Sequence, residues 1–301
     1  MQDHAKALEK LKSSAMGAAT VRAFAALEPD EKIRNPDYLA RELLDPAMRP
    51  ELDAPQKIEA FRAQLEQILP GAYHFQNART LHIDACLKQA IDEGFKQVVI
   101  LGAGFDTRAY RFGNEKNNVH FFEVDLPELQ IDKTDKITAL LGARPNYIEY
   151  IALNFNTQPL DNILQASGYD ATLPTFFIWE GVSYYLAASG VDATLGFVSK
   201  YGASGSRIIF DYMPRAMVDG SGDYYGGAES RAYMAKFGEP LLFGIEDGAV
   251  ESFLRHQGFE PASFFSNIEL ENKYLIDSHS NLHGRISGYV RMVEAVVRKE
   301  R

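Results

Sequence analysis

Gln97–Asp125 reads QVVILGAGFDTRAYRFGNEKNNVHFFEVD: a strand, a glycine turn, a helix start and a second strand that ends in acid. Val98, Val99, Ile100 and Leu101 form a short apolar run of the kind buried on both faces of a parallel sheet. Gly102 and Gly104 follow at once; they permit a tight turn and, with Ala103 between them, let backbone approach a bound group closely. About twenty residues on, Phe121-Phe122-Glu123-Val124-Asp125 closes the second strand, and an acid there is placed to bond the hydroxyls of a ribose. Glu123 and Asp125, two apart on an extended strand, point the same way. The expectation is a nucleoside-cofactor site on a doubly wound α/β sheet.

Dinucleotide binders favour G-x-G-x-x-G, with the pyrophosphate on the helix N-terminus. Here Thr107 stands at the third glycine, and Asp106 puts negative charge where a pyrophosphate would sit. A cofactor with a cationic amino group suits Asp106 better, which favours S-adenosylmethionine; a nicotinamide dehydrogenase is the rival reading.

The composition narrows the rest. The chain has 301 residues, 46% hydrophobic and 24% charged, ample for a full core. A net charge of −10 without a Lys/Arg run argues against nucleic acid as a partner. Cys86 is the only cysteine, so no intrachain disulfide and no cysteine zinc cage is expected. His279 and His283 have a ligand-like i, i+4 spacing, but no third ligand clusters with them in sequence, and no metal is expected. The opening MQDHAKALEKLKSS lacks an apolar segment, and no 18-residue apolar run occurs, so the expectation is a cytoplasmic protein off the membrane, monomer or homodimer.

Residues 1–93 read as helical, with Pro70-Gly71 stopping one helix and Gly94 ending the next. This gives a division into an N-terminal helical cap, 1–93, and a core, 94–301. Strands are expected at Tyr147–Leu153, Thr175–Trp179 and Arg207–Phe210, with helices at Asp161–Gly168, Val191–Tyr201 and Ala249–Gln257. The Gly/Tyr/Met-rich stretch at about 213–245 reads as a helical insertion or a mobile lid. Ala262–Tyr274 and Arg285–Val297 read as two final strands, an antiparallel pair at the sheet edge.

VVILGAGFDTRAYR, FFEVDLPELQIDK and PTFFIWEGVSYYL, in this order, resemble the leucine carboxyl methyltransferase family; SSAMGAATVRAFA and NARTLHIDACL resemble its upstream segments. The family includes many bacterial O-methyltransferases of small-molecule biosynthesis, natural products and polyketides among them. The resemblance implies a class I methyltransferase sheet, Rossmann-like, of seven strands with the last antiparallel, and S-adenosylmethionine over the ends of strands one, two and four. It implies Arg79 for the cofactor carboxylate, Gly102, Ala103 and Gly104 as the turn, and Asp106 toward the methionine amino group. Asp125, followed by Leu126, matches the ribose acid, and Glu123 stands as a direct or supporting residue. Asn154 replaces the usual aspartate at the adenine amino group, keeping one carbonyl acceptor without the charge, and Phe155 covers the adenine face. Glu180 falls near the methionine end, and Tyr185 near the acceptor.

Methyl transfer is an in-line attack that needs alignment and exclusion of water. A carboxylate acceptor needs no base; a phenol or enol benefits from one, for which Asp211 and Tyr212 are the candidates by position. The expected activity is O-methylation of a carboxylate or acidic hydroxyl on a small molecule. Methylation of a protein C-terminal carboxylate, and non-methylating chemistry on the same fold, are the alternatives.

Overall fold

The computed structural model describes residues 2–298 except 55, 115, 117, 154–163, 165 and 239, with side chains from residue 14 onward. Seven strands form one sheet: β1 (Gln97–Leu101), β2 (His120–Asp125), β3 (Ile148–Ala152), β4 (Thr175–Trp179), β5 (Arg207–Tyr212), β6 (Phe259–Ser266) and β7 (Arg291–Val297). Their spatial order is β3-β2-β1-β4-β5-β7-β6. The first five are parallel, and β7 runs antiparallel to both β5 and β6. This is the expected seven-stranded arrangement.

Burial on both faces explains the apolar runs. Val98 and Ile100 of β1 enter one core layer with Phe121, Phe176, Ile178 and Ile209. Val99 and Leu101 enter the other with Phe122, Val124, Phe177, Trp179, Ile208 and Phe210. Strand alternation therefore puts Glu123, Asp125 and Asp211 on the first face, and Tyr212 on the second.

The chain order reverses between β1 and β4, and ligands of open α/β sheets bind outside the carboxyl ends of the strands at such a point. Four segments leave that edge together: the turn 102–107, Asp125-Leu126, Glu180-Gly181, and Asp211-Tyr212. Helices Gln2–Ala25, Gln56–Ile68 and Ala72–Asp92 precede the sheet, the last ending before Gly94 at φ +99°. Phe105 of the turn is buried in a separate apolar cluster with Val21, Phe24, Leu43 and Tyr73, so the N-terminal helices close over the turn.

Two expectations need correction. Only Phe259–Ser266 of the penultimate segment is strand; Asn267–Tyr274 is a helix. Ser266 and Glu269 form a reciprocal capping box there, each side chain accepting from the other's backbone N–H, an S-x-x-E signal that outweighs the strand-like alternation of Ile268 and Leu270. The last strand starts at Arg291 rather than Arg285.

Of the two readings for 213–245, the helical one is observed: helices Arg215–Asp219 and Gly227–Phe237. They are tied down by the Tyr225 hydroxyl on the Glu66 carboxylate, by Gly288 N–H to the Tyr225 carbonyl at 2.9 Å, and by the Ser230 and Tyr289 hydroxyls at 2.7 Å. Half of the helix expected at Asp161–Gly168 falls outside the described residues. No helix among the described residues is long and apolar enough to cross a membrane.

Candidate active site

The turn after β1 is fixed by its neighbour β2. Gly102 N–H and Ala103 N–H both donate to the Val124 carbonyl, at 2.8 and 3.1 Å. Gly102 sits at φ +72°, and a Cβ there would stand 2.6 Å from Val182 Cγ2, so backbone freedom and space both require glycine. Gly104 N–H donates to Asp125 Oδ2 at 2.5 Å and Leu126 N–H to Oδ1 at 2.7 Å. Burial raises the Asp125 pKa, and these two N–H groups oppose the rise. Each Asp125 oxygen keeps acceptor capacity beyond these bonds.

Glu123, two residues earlier, has a different environment. It is fully buried, 2.8 Å from Lys133 Nζ, itself buried. Burial pushes its carboxyl up to about 7 against the pull of Lys133. Lys133 also lies over the Tyr110 ring, whose hydroxyl meets that of Tyr150 at 3.1 Å. Glu123 and Asp125 thus share a face but not a role: one is sealed with a lysine, the other braces the turn.

On the β4 and β5 side the charges join into one chain. Arg22 binds Asp37 at 2.8 Å, Asp37 reaches Arg111 at 3.7 Å, and Arg111 pairs with Asp84. Asp84 takes Arg108 Nε at 2.7 Å, and Arg108 Nη1 holds both Asp106 and Glu180 at 2.6 Å. Glu180 then pairs with Arg79 Nε at 3.0 Å, and Arg79 Nη1 binds Asp211 at 2.5 Å. Among the described residues of this chain, four guanidinium groups face five carboxylates, one formal negative charge in excess. Burial by itself would raise the Glu180 carboxyl; Arg79 and Arg108 outweigh it and hold the group at about 2.

The cofactor and base candidates fall as follows. Arg79 is buried, its Nη1 on Asp211 and its Nη2 on Gln76 Oε1 at 2.5 Å, while its Nε faces Glu180 as an ion pair without a hydrogen bond. Asp106 stands two residues before the next helix and accepts from Arg108 N–H at 2.7 Å. Asp211 accepts from Gly181 N–H at 2.7 Å and from the Tyr184 hydroxyl at 3.4 Å, besides Arg79. Tyr212 lies across the sheet from Asp211, packed near Phe210, with burial pushing its phenol up to about 12. Tyr185, half-buried, stacks edge-on with Tyr184 and puts its hydroxyl 3.4 Å from Met234 Sδ in the insertion. Asn154 and Phe155 lie outside the described residues. His283 and His279 do not share a site: His283 Nε2 meets Arg62 at 2.6 Å, while His279 is exposed beside Asp30 and Asp277.

Sequence reasoning passed over Arg22, Asp37, Asp84, Arg108 and Arg111. The signal was present, since NARTLHIDACL and DTRAYR each place ionised residues inside otherwise apolar helices, and buried ions require partners. Thr107 is similar: it occupies the third-glycine position because its hydroxyl donates to Asp37 at 2.5 Å.

The sheet order, the antiparallel β7 and the turn-plus-acid edge define a Rossmann-like methyltransferase fold. The sequence profile of the leucine carboxyl methyltransferases matches residues 15–199, more than half of the chain, and the chain belongs to this family. It is an S-adenosyl-L-methionine-dependent methyltransferase. A relative from Mycolicibacterium gilvum, provisionally described as such an enzyme, is 31% identical over 237 residues, 76% of this chain and 71% of its own length. One from Bacillus subtilis with the same description is 27% identical over 228 residues, covering 76% and 73%. Among solved structures, a DUF574 family protein from Streptomyces avermitilis superposes with a TM-score of 0.56 at 14% identity, covering 93% of this chain and 97% of that one. At that identity the likeness speaks for the fold alone.

Proposed function

We propose that the chain methylates a carboxylate or acidic hydroxyl oxygen of a small molecule. One observation carries the reading: neither base candidate is free to take a proton. Asp211 is held by Arg79, Gly181 and Tyr184, and Tyr212 is buried on the opposite face of β5. An acceptor that arrives already ionised needs neither.

The residues present fit the methyl donor. The glycine turn offers close backbone approach, and the buried chain of ion pairs carries one excess negative charge for a ligand that is cationic overall. Gly102, Ala103 and Gly104 would lie against the nucleoside, and Asp125, steadied by Gly104 and Leu126, would accept from the ribose hydroxyls. Asp106 and Glu180 would face the ammonium. Arg79 would hold the methionine carboxylate in place of Gln76, the uncharged partner of that guanidinium. Asn154 and Phe155 are the adenine residues by resemblance. Glu123 supports this edge through Lys133 rather than touching the ribose. When bound, S-adenosyl-L-methionine supplies a sulfonium methyl open to in-line attack. The protein's task is then to orient the acceptor and exclude water, with Tyr185 and Met234 on the acceptor side.

Methyl transfer from labelled cofactor to panels of small carboxylic acids, phenols and amines tests the reading. Label in the acids, or in the most acidic phenols, is expected; label in amines alone overturns it.

A further inference from the structure

We propose that the excess buried carboxylate in the Arg22–Asp211 ion chain makes this site prefer the cationic methyl donor to its uncharged product, with Asp84 as a positioning residue for that preference. The inference rests on the cofactor placement proposed above. At neutral pH the donor carries a carboxylate, an ammonium and a sulfonium, one net positive charge. The product, having lost the methyl, is a zwitterion with no net charge. The two differ in little else, so a site can separate them chiefly by field.

The structure supplies such a field. The chain's charges are shielded from water: the side chains of Asp37, Asp84, Arg79, Arg108 and Asp211 are all at least nine-tenths buried. Three carboxylates, Asp84, Asp106 and Glu180, crowd on Nε and Nη1 of one guanidinium, Arg108, whose Nη2 has no hydrogen-bond partner among the described residues. Compensation within the chain is therefore incomplete in number and in geometry. A buried charge imbalance of this kind acts over many ångströms because little solvent screens it.

Asp84 is the place to change the field without touching the turn. It sits on the Ala72–Asp92 helix and binds only Arg108 and Arg111 in the chain. Arg108 in turn bridges Asp106 of the turn and Glu180 after β4. Asp84 thus acts on the cofactor site through Arg108, and its loss of charge would leave four cations facing four carboxylates. Arg111, at the next link, changes the balance in the other direction.

Calorimetric affinities for S-adenosyl-L-methionine, S-adenosylhomocysteine and sinefungin, a sulfur-free analogue with an ammonium near the methyl position and the donor's net charge, test this in three proteins. In the wild type, donor and sinefungin should both bind about tenfold or more tightly than the product, the size of one unit-charge interaction across about 12 Å at an effective dielectric of about 20. Asp84→Asn should lower the donor-to-product preference by about tenfold, and Arg111→Gln should raise it. A disturbance of packing alone would weaken all three ligands by one factor and leave the preference where it was. An unchanged preference in the folded variants, or the same direction of change in both, overturns the proposal. So does a wild type that binds sinefungin no better than the product, a result that needs neither variant to fold. If Asp125→Ala leaves cofactor affinity intact, the placement fails instead; if Asp125→Ala weakens binding while the preference does not follow charge, only this inference fails.

Discussion

The carboxyl edge of β1 and β4 and the 213–245 insertion hold their side chains in different ways. At the edge, ions from the N-terminal helices, the turn, β4 and β5 are tied into one buried chain, and few of its members could move alone. In the insertion, short helices are held by separate side-chain hydrogen bonds such as Tyr225 to Glu66 and Ser230 to Tyr289, and present soft groups such as Met234. A cofactor of fixed shape and charge would suit the first construction; an acceptor of less fixed shape would suit the second, because Met side chains repack at low cost.

The contrast predicts where substitutions hurt. Arg108→Met leaves Asp84, Asp106 and Glu180 buried without their shared cation, and should cost about 3–5 kcal/mol of stability by denaturant titration; a loss under about 1 kcal/mol would mean the ions are not coupled. Glu180 should give the chain its acid sensitivity. Its carboxyl is held at about 2 in the folded state against an ordinary 4.5, so its stabilisation is present above 4.5 and is lost as pH falls toward 2. In Glu180→Gln the urea midpoint should therefore fall less steeply across that window than in wild type. Tyr225→Phe, which cuts one tie of the insertion, should cost about 0.5–1.5 kcal/mol, read as a small drop in melting temperature. Tyr212→Phe should change kcat by less than about twofold, since no proton is expected to pass through it; a hundredfold loss would restore it as a general base.

The parallel strands were legible because burial on both faces writes itself as unbroken apolar runs, as in Val98–Leu101. The turn was legible because Gly102 and Gly104 have few other uses directly after such a strand. The helix at Asn267–Tyr274 was misread: Phe264, Ile268 and Leu270 fall on even spacing as in a strand, and the Ser266–Glu269 cap was the competing signal. The ion chain was illegible for a different reason. Arg22 and Asp211 lie at its two ends, and each link joins residues that meet only once the sheet and the N-terminal helices are assembled. The resemblance could set Arg79 and Glu180 at the methionine end, but not say that Arg108 joins Glu180 to Asp84. Likewise Glu123 and Asp125 are equivalent by strand spacing; the resemblance favours Asp125 for the ribose, and the structure parts them by Lys133 on Glu123 and the Gly104 and Leu126 N–H groups on Asp125.

The central claim is that the turn after β1, braced by Asp125, is where the methyl donor binds. Isothermal titration of S-adenosyl-L-methionine into wild type and Asp125→Ala tests it most directly. Loss of a charge-assisted bond to the ribose should weaken binding by about 1–3 kcal/mol, with the fold intact by circular dichroism. An affinity equal to that of wild type would place the cofactor elsewhere and contradict the account.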